Sequence, residues 1–370
     1  MGHQSKTESI VNREESARRS RPTQLLCAVA TGLFLFVGSG HAQSQACPSQ
    51  TSPCLFVSVS PNGTQQVEKW QDNGGKVLDS AFLKNYPNGG GGGGEGVACL
   101  SGNMNVMYTA NNLDVINTFD LTSGSYKPNN LSLGVGTHIG ALSINRAGTV
   151  LYAGQYHPAP GNIWSLTPLT SSPWVATLNS VSPPTGTSHD VALGNGSPLL
   201  DGNVFGTYTS ASNTGVNEYD ATLNPNPILG LPKQFLSGNN CYTFSGVSGT
   251  RCTYNLAGMT FDSEGNLWVV SDESQFNGVF EFDSNGNPLN FTPDPQVKGQ
   301  DPFPIGITIA PANDPSYPNN IVLANYNVGT ISRIDPTTCT GPPKNKLPGT
   351  CTLVTFFSTI NPNPNSPWCK

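Results

Sequence analysis

The sequence has little charge. Only 11% of its 370 residues are Asp, Glu, Lys or Arg, while 41 are Gly and 31 are Pro. Abundant turn formers between short apolar runs are typical of a protein built from many short strands. No stretch after residue 43 carries apolar residues at the spacing of an amphipathic helix, which argues against a helical bundle. The low charge also argues against the usual composition of disordered chains.

The sequence also lacks a long hydrophobic run, and its short one lies near the start. Residues 13–21 include four arginines, residues 25–37 are almost entirely apolar, and Gly40-His41-Ala42 supplies small residues before a cleavage site. This order is typical of a signal peptide. The run is shorter than the about 20 residues of a membrane span. We therefore predict that residues 1–42 are cleaved and that the chain is secreted or periplasmic, with a retained N-terminal anchor as the alternative.

Basic residues are scarce in the mature chain. Removing residues 1–42 takes away five of the 17 basic and three of the 23 acidic residues, which leaves 12 against 20 and a net charge of −8. Nucleic-acid binding needs clustered Lys and Arg, so it is excluded as a function class. We expect a monomer with no membrane association after cleavage. Its partner is expected to be a small molecule, a glycan or a peptide.

Eight of the nine cysteines remain after Cys27 leaves with the signal peptide. An even number of cysteines in an exported chain predicts disulfides. Two local pairs are expected, Cys241 with Cys252 and Cys339 with Cys351, because each would close a Gly/Pro-rich loop that has little else to hold it.

The other four cysteines, Cys47, Cys54, Cys99 and Cys369, leave the pairing open. A bond from Cys369 to Cys47 or Cys54 would join the two ends of the chain. A metal site made of cysteines is not indicated, since no C-x-x-C motif occurs and the spacings match no zinc pattern.

An internal repeat is the most informative feature. A five-residue element, apolar-x-x-apolar-polar, recurs six times at steps of 49, 47, 53, 63 and 52 residues. Its copies begin at Val67, Ile116, Ile163, Val216, Val279 and Ile331. A period near 50 built of short strands is what a blade of four antiparallel strands requires. The fold class is therefore all-β, a six-bladed β-propeller with four-stranded blades, and we predict one domain over residues 43–370.

The first blade is the exception in this repeat. Residues 55–59 align with second strands of other blades, so the inner strand of the first blade is missing from the sequence before them. Ring closure would normally take chain from the other end, but residues 361–370 are Pro-rich and read as a poor strand. The predicted Cys369 bond would then close the ring instead, and a seventh blade stays open as an alternative.

Three segments carry a resemblance to known repeats. The segment LAGMTFDSEGNLWV at residues 256–269 resembles the blade signature of the NHL and SMP-30/gluconolactonase group. PIGIT at residues 304–308 and GTISRID at residues 329–335 resemble repeats of streptogramin lyases. The resemblance implies a six-bladed propeller. It leaves the function open, because the group includes lactonases, lyases and binding scaffolds.

The start of each inner strand faces the channel mouth of a propeller, where ligands usually bind. Alignment of the blades on their small residue places Glu95, His138 and His189 at equivalent positions, with Asp190 next in the chain. A Glu/His/His set can hold one divalent metal (Zn, Mn or Ca), which would activate a water or polarise a carbonyl. The alternative is that these side chains satisfy backbone groups in the channel.

The resemblance to lactonases is incomplete at the residues that matter. It implies that Glu95 opens a metal site, but Ala257 and Ile305 stand where that group has a further acidic ligand. A lyase of the streptogramin type needs a late histidine, and none follows His189. We therefore predict a ligand-binding or scaffold module. The alternative is a metal-dependent, lactonase-like hydrolase or lyase that acts at the central channel through Glu95, His138 and His189.

Overall fold

The computed structural model describes most of the strands and the shorter turns between them. The described residues are 29–30, 54–59, 66–71, 76–83, 97–100, 106–110, 115–133, 138–145, 147–157, 162–167, 177–181, 190–194, 202–209, 214–224, 233–237, 240–271, 278–293, 304–310, 312, 314, 316–340, 348–359 and 364–367.

The strands of the first three blades follow one another in chain order. Blade I contains β2 (Cys54–Val59), β3 (Gln66–Gln71) and β4 (Val77–Leu83), and its inner strand comes from the other end of the chain. The two-residue β1 (Val29–Ala30) pairs with β2 and β3. Blade II contains β5 (Val97–Leu100), β6 (Val106–Ala110), β7 (Val115–Asp120) and β8 (Tyr126–Ser132). Blade III contains β9 (His138–Ile144), β10 (Leu151–His157), β11 (Ile163–Thr167) and β12 (Thr177–Val181).

The later blades carry two insertions. Blade IV contains β13 (Val191–Leu193), β14 (Val204–Thr209), β15 (Thr214–Tyr219) and β16 (Lys233–Leu236), and the hairpin β17 (Cys241–Thr243) and β18 (Thr250–Cys252) follows. Blade V contains β19 (Leu256–Phe261), β20 (Leu267–Ser271), β21 (Gly278–Phe282) and β22 (Pro288–Pro293). Blade VI contains β23 (Pro304–Ile309), β24 (Ile321–Asn325), β25 (Thr330–Ile334) and β27 (Leu353–Ser358). Between β25 and β27 the chain forms a 3-10 helix (Pro336–Thr338) and β26 (Gly349–Thr350), which pairs with β22 at the edge of blade V.

These sheets form a ring of six antiparallel four-stranded blades, so the predicted six-bladed β-propeller is confirmed. Each of β5, β9, β13 and β19 contacts the inner strand of the next blade, and β23 contacts the final strand β28 (Pro364–Pro367). The small residues used for the sequence alignment all lie on these inner strands: Val97, Gly140, Val191, Gly258 and Gly306.

The closure of the ring differs from the expectation. We expected residues 361–370 to be a poor strand, but β28 pairs antiparallel with β2 and supplies the inner strand of blade I. Ser58 is opposite Ser366, and the register shifts at the next residue, Val59, which is opposite Pro364. An inner strand needs only one hydrogen-bonded neighbour within its blade. Prolines, which lack an N–H, are therefore tolerated there.

The core consists of side chains packed between neighbouring blades. All five residues of β20 are buried, as are all five of β21 and of β24. Leu323 and Trp268 belong to one cluster that joins blades V and VI, while Phe205 and Phe280 belong to another that joins blades IV and V. Because each blade has a neighbour on both faces, its middle strands read as continuous apolar runs rather than as an alternation.

The polar residue that ends the repeated element forms a hydrogen bond within the turn that follows. Asp120, Asp220, Asp283 and Asp335 each follow the last apolar residue of a third strand, and one carboxylate oxygen of each accepts the N–H two residues on. Such a side-chain bond stabilises the start of a turn, beside the backbone bond that the carbonyl oxygen of each aspartate accepts. Aspartate at this position therefore ends the strand.

Both predicted local disulfides are present. Cys241 is bonded to Cys252 and Cys339 to Cys351. Cys54 is disulfide-bonded as well. Cys47, Cys369 and the side chain of Cys99 lie outside the described part of the chain, so the pairing of these cysteines stays a prediction. In the part of the chain with described structure, no helix has the length and apolarity needed to span a membrane.

Candidate functional site

The candidate site lies where the inner strands begin, at the mouth of the channel. Three of these strands are irregular at this end. The pairing of β9 with β10 shifts beside His138, that of β19 with β20 shifts between Leu256 and Met259, and that of β23 with β24 shifts between Pro304 and Gly306. Bulges of this kind leave backbone groups unpaired by the ladder and re-aim side chains. The mouth therefore presents backbone N–H and C=O groups as well as side chains.

Glycine is required at position 258 because two adjacent inner strands approach closely there. A Cβ atom on Gly258 would lie 2.3 Å from the carbonyl oxygen of Ile305 and 3.0 Å from a methyl group of Ile307. Both of these residues belong to the next inner strand. The close approach of β19 and β23 therefore requires the small residue at this position of blade V.

Asp190 connects two walls of the channel. Its Oδ2 atom accepts the N–H of Met259 at 2.6 Å, and its Oδ1 atom accepts the N–H of Val191 at 2.8 Å. Its own N–H donates to Oγ1 of Thr207 at 2.7 Å, and its carbonyl oxygen accepts the N–H of Thr207 at 3.0 Å. The side chain thus joins blade IV to the bulge of blade V, where the ladder leaves the N–H of Met259 free to donate.

The position between two inner strands changes the acidity of this group. Desolvation raises the pKa of Asp190 to about 7, although the N–H donors of Met259 and Val191 act in the opposite direction. Desolvation dominates because crowded backbone replaces water around the carboxyl group. Asp190 therefore changes its charge near neutral pH, unlike an ordinary surface aspartate.

His138 is the other member of the predicted set that the structure describes. It is half-buried, begins β9 and lies opposite His157 in the register of β9 and β10. The inner strands β9 and β13 contact each other, so His138 and Asp190 lie at corresponding ends of neighbouring walls. Glu95 and His189 lie outside the described residues. The metal set Glu95, His138 and His189 therefore stays a prediction.

A second group of polar residues near the mouth was missed in the sequence. Thr109 and Asn117 are opposite each other on β6 and β7, next to Val97 at the start of the inner strand β5. Both side chains are fully buried, and neither Oγ1 of Thr109 nor either amide atom of Asn117 has a hydrogen-bond partner. Asn217, at the equivalent place in blade IV, is also buried with an unpaired Nδ2 atom.

The signal for this group was in the repeated element. Its second position holds Glu68, Asn117, Asn217 and Ser332 in four of six copies. All four are buried. Polar residues at a position that faces a neighbouring blade are unusual in a core. Their recurrence could have been noticed without a structure.

The fold and the site define the class of protein as a six-bladed β-propeller. It is similar to two solved propellers in particular. One, from a nidogen/laminin complex, matches with a TM-score of 0.52 and 12% identity over 85% of this chain and 97% of that chain. The other, the periplasmic gluconolactonase of Pseudomonas aeruginosa, matches with a TM-score of 0.51 and 14% identity over 85% of this chain and 98% of that chain.

At these identities the similarity shows the fold alone. No protein-family model matches the sequence, and no curated protein matches it. The predicted NHL and gluconolactonase-like resemblance is therefore supported at the level of the propeller fold. The chemistry of the channel has to be argued from its own residues.

Proposed function

We propose that this protein is an exported β-propeller that binds a small molecule, a glycan or a peptide at its channel mouth, as a binding or scaffold module. The observation that carries the proposal is the bonding of Asp190. Each of its two carboxylate oxygens accepts a backbone N–H, one of them from the neighbouring blade. A carboxylate used in this way stabilises the walls of a binding site and is poorly placed to ligate a metal or attack a substrate.

Two further features support the proposal. The bulges of three inner strands offer backbone groups to a ligand, and such groups recognise neutral hydrogen-bonding molecules well. Disulfides favour an oxidising compartment. One of the similar propellers was solved in a complex of two proteins, which is an example of this fold in a binding role.

The test is a binding screen of the mature protein on glycan and peptide arrays. Hits would be measured again in solution with the His138→Ala variant, which changes the mouth, and with Val354→Thr, an exposed position on the outermost strand β27. We expect binding that His138→Ala weakens at least tenfold and Val354→Thr leaves unchanged. Binding that neither variant alters would place the ligand elsewhere and overturn the proposed site.

The alternative is a metal-dependent hydrolase or lyase at the same mouth. It is favoured by the position of His138 at the start of the inner strand β9, and one similar propeller is a gluconolactonase. Glu95, His138 and His189 would hold the metal. Elemental analysis after incubation with Zn, Mn or Ca distinguishes the two functions. One metal per chain, lost in a His138→Ala/His189→Ala variant, would favour the enzyme and justify assays with lactones and esters.

A further inference from the structure

The two disulfide-closed loops meet at the outer edge of blade V. The hairpin β17–β18, closed by Cys241 and Cys252, packs through Tyr242 and Phe244 on the face of blade V towards blade IV. From the other side, β26 pairs in parallel with β22, so that Gly349 is opposite Asn290. The N–H of Ser245 donates to the carbonyl oxygen of Pro348 at 2.7 Å.

The disulfide of the second loop has a carboxylate beside it. A carboxylate oxygen of Glu281 and the Sγ atoms of Cys339 and Cys351 all lie within 4.8 Å of one another. Glu281 and Cys351 are buried, whereas Cys339 is half-buried. Among the residues with described side chains, no other pair of cysteines has an acidic or imidazole group in this arrangement.

Glu281 is held in place by two amides from its own blade. Its Oε2 atom accepts from Nδ2 of Asn290 at 2.6 Å, and its Oε1 atom accepts from Nδ2 of Asn266 at 3.1 Å. These donors would stabilise the carboxylate that remains after Glu281 gives up a proton. The two hydrogen bonds hold the carboxyl group of Glu281 next to the sulfur atoms.

The charged neighbours of Glu281 are acidic. Burial raises the pKa of Glu281 to about 7, the amides of Asn290 and Asn266 oppose this, and the carboxylates of Asp262 and Glu264 add to the rise. The Oδ2 atom of Asp262 is already hydrogen-bonded, since it accepts from Nε1 of Trp268 at 2.9 Å. A substantial fraction of Glu281 is therefore protonated near neutral pH, within 4.8 Å of both sulfur atoms.

From this geometry we propose that Cys339–Cys351 is a thiol–disulfide exchange site, in which Glu281 is the proton donor and the substrate is a dithiol. A thiolate of the dithiol attacks Sγ of Cys339, the more exposed residue of the pair. A bond forms between these two sulfur atoms, the Cys339–Cys351 bond breaks, and its electron pair stays on Sγ of Cys351. That sulfur takes the proton of Glu281.

The second thiolate of the dithiol completes the exchange. It attacks the dithiol's own sulfur in the mixed disulfide and displaces Cys339 as a thiolate, which takes a proton from solvent. The dithiol is oxidised to a disulfide, and the protein gains two electrons and two protons. Glu281 is then reprotonated from solvent. Reduction would release the loop that carries β26 from its covalent closure, so the outer edge of blade V would respond to the redox state of the surroundings.

The experiment uses the second disulfide of the same molecule as its control. Mature protein is treated with dithiothreitol between pH 6 and pH 8, free thiols are alkylated at intervals, and each disulfide is quantified by peptide mass spectrometry. The ratio of the Cys339–Cys351 rate to the Cys241–Cys252 rate cancels the ionisation of the reductant, which affects both equally. Cys241 is also exposed, so the exposure of one sulfur does not distinguish the pairs.

In the wild type we expect this ratio to fall about tenfold from pH 6 to pH 8, in proportion to protonated Glu281. Glu281→Gln should lower the ratio at pH 6 and remove its pH dependence. Glu264→Gln, at an exposed position, should move the midpoint to lower pH and serves as the second variant if Glu281→Gln does not fold. A wild-type ratio independent of pH, or an unaltered profile in Glu281→Gln, would overturn the proposal.

Discussion

The Oδ2 atom of Asp190 lies 2.6 Å from the backbone nitrogen of Met259, and this hydrogen bond joins the inner strand of blade V to the residue that precedes the inner strand of blade IV. The donor is available because the strand of Met259 bulges at this place. Asp190, which was predicted to lie at the channel mouth, thus joins two of the strands that form the mouth.

The protonation of Asp190 should make stability depend on pH. Its folded pKa of about 7 lies above the ordinary value of 3.8, so the folded state holds more protons than the unfolded state between these values. The contribution of Asp190 to the free energy of unfolding is therefore fully present below about pH 4 and is lost as pH rises towards 7. Between pH 5 and pH 8 the loss from this group should be on the order of 2 kcal/mol.

Urea denaturation at several pH values would measure this effect. Asp190→Asn should flatten the dependence in part, because Glu281 titrates in the same window and in the same direction. The double variant Asp190→Asn/Glu281→Gln should flatten it almost completely. A wild-type protein more stable at pH 8 than at pH 5 would contradict the assigned sign.

Gly258→Ala should destabilise the ring. The added Cβ atom would lie 2.3 Å from the carbonyl oxygen of Ile305, so two inner strands would have to separate, at a cost of about 1–3 kcal/mol. Gly246→Ala is the control, since nothing lies within 4 Å of its Cβ position and only its φ of +80° is unfavourable. Equal losses in the free energy of unfolding would show that inner-strand packing is looser than the structure indicates.

Asn117→Leu should stabilise the protein, which is unusual for a substitution in a core. The amide of Asn117 is buried without a hydrogen-bond partner, so its replacement by an apolar group of similar size removes a desolvation cost of about 1–3 kcal/mol. Asn290→Leu is the matched control and should destabilise, because it removes the donor to Glu281. Thermal unfolding of both variants checks the contrast, and a destabilised Asn117→Leu would indicate an internal water at that site.

Loss of the final strand should open the ring. Deletion of residues 364–370 removes β28, the inner strand of blade I, and exposes Leu55 and Val57, which are fully buried. We expect a lower thermal midpoint by at least several degrees and increased binding of a hydrophobic dye. The deletion also removes Cys369, so Cys369→Ser is the control that measures the effect of losing this cysteine alone. If Cys369→Ser alone reproduced the whole effect, the bond of that cysteine rather than β28 would be the closing element.

Much of the architecture could be predicted from residues whose effect is on nearby residues in the chain. The repeated element, which ends in aspartate in four of its six copies, located the third strand of each blade. Cys241 and Cys252 were paired correctly because they close a short hairpin. The closure of the ring by β28 could not be predicted from the sequence, because proline disfavours a strand in general. The prolines of β28 are tolerated only because this strand is the inner edge of blade I.

The sequence by itself determined the class of fold and predicted six blades, because the spacing of strands and turns follows from local backbone preferences and from apolar residues on both faces. It left a seventh blade open, and the structure decided for six, with β28 as the inner strand of blade I. Only the tertiary structure decided what the side chains do. It placed the carboxylate of Asp190 against the N–H of Met259 and that of Glu281 against a disulfide. Met259 lies 69 residues from Asp190, and Cys339 and Cys351 lie 58 and 70 residues from Glu281. Burial between blades, which local sequence does not encode, changes the acidity of both carboxyl groups.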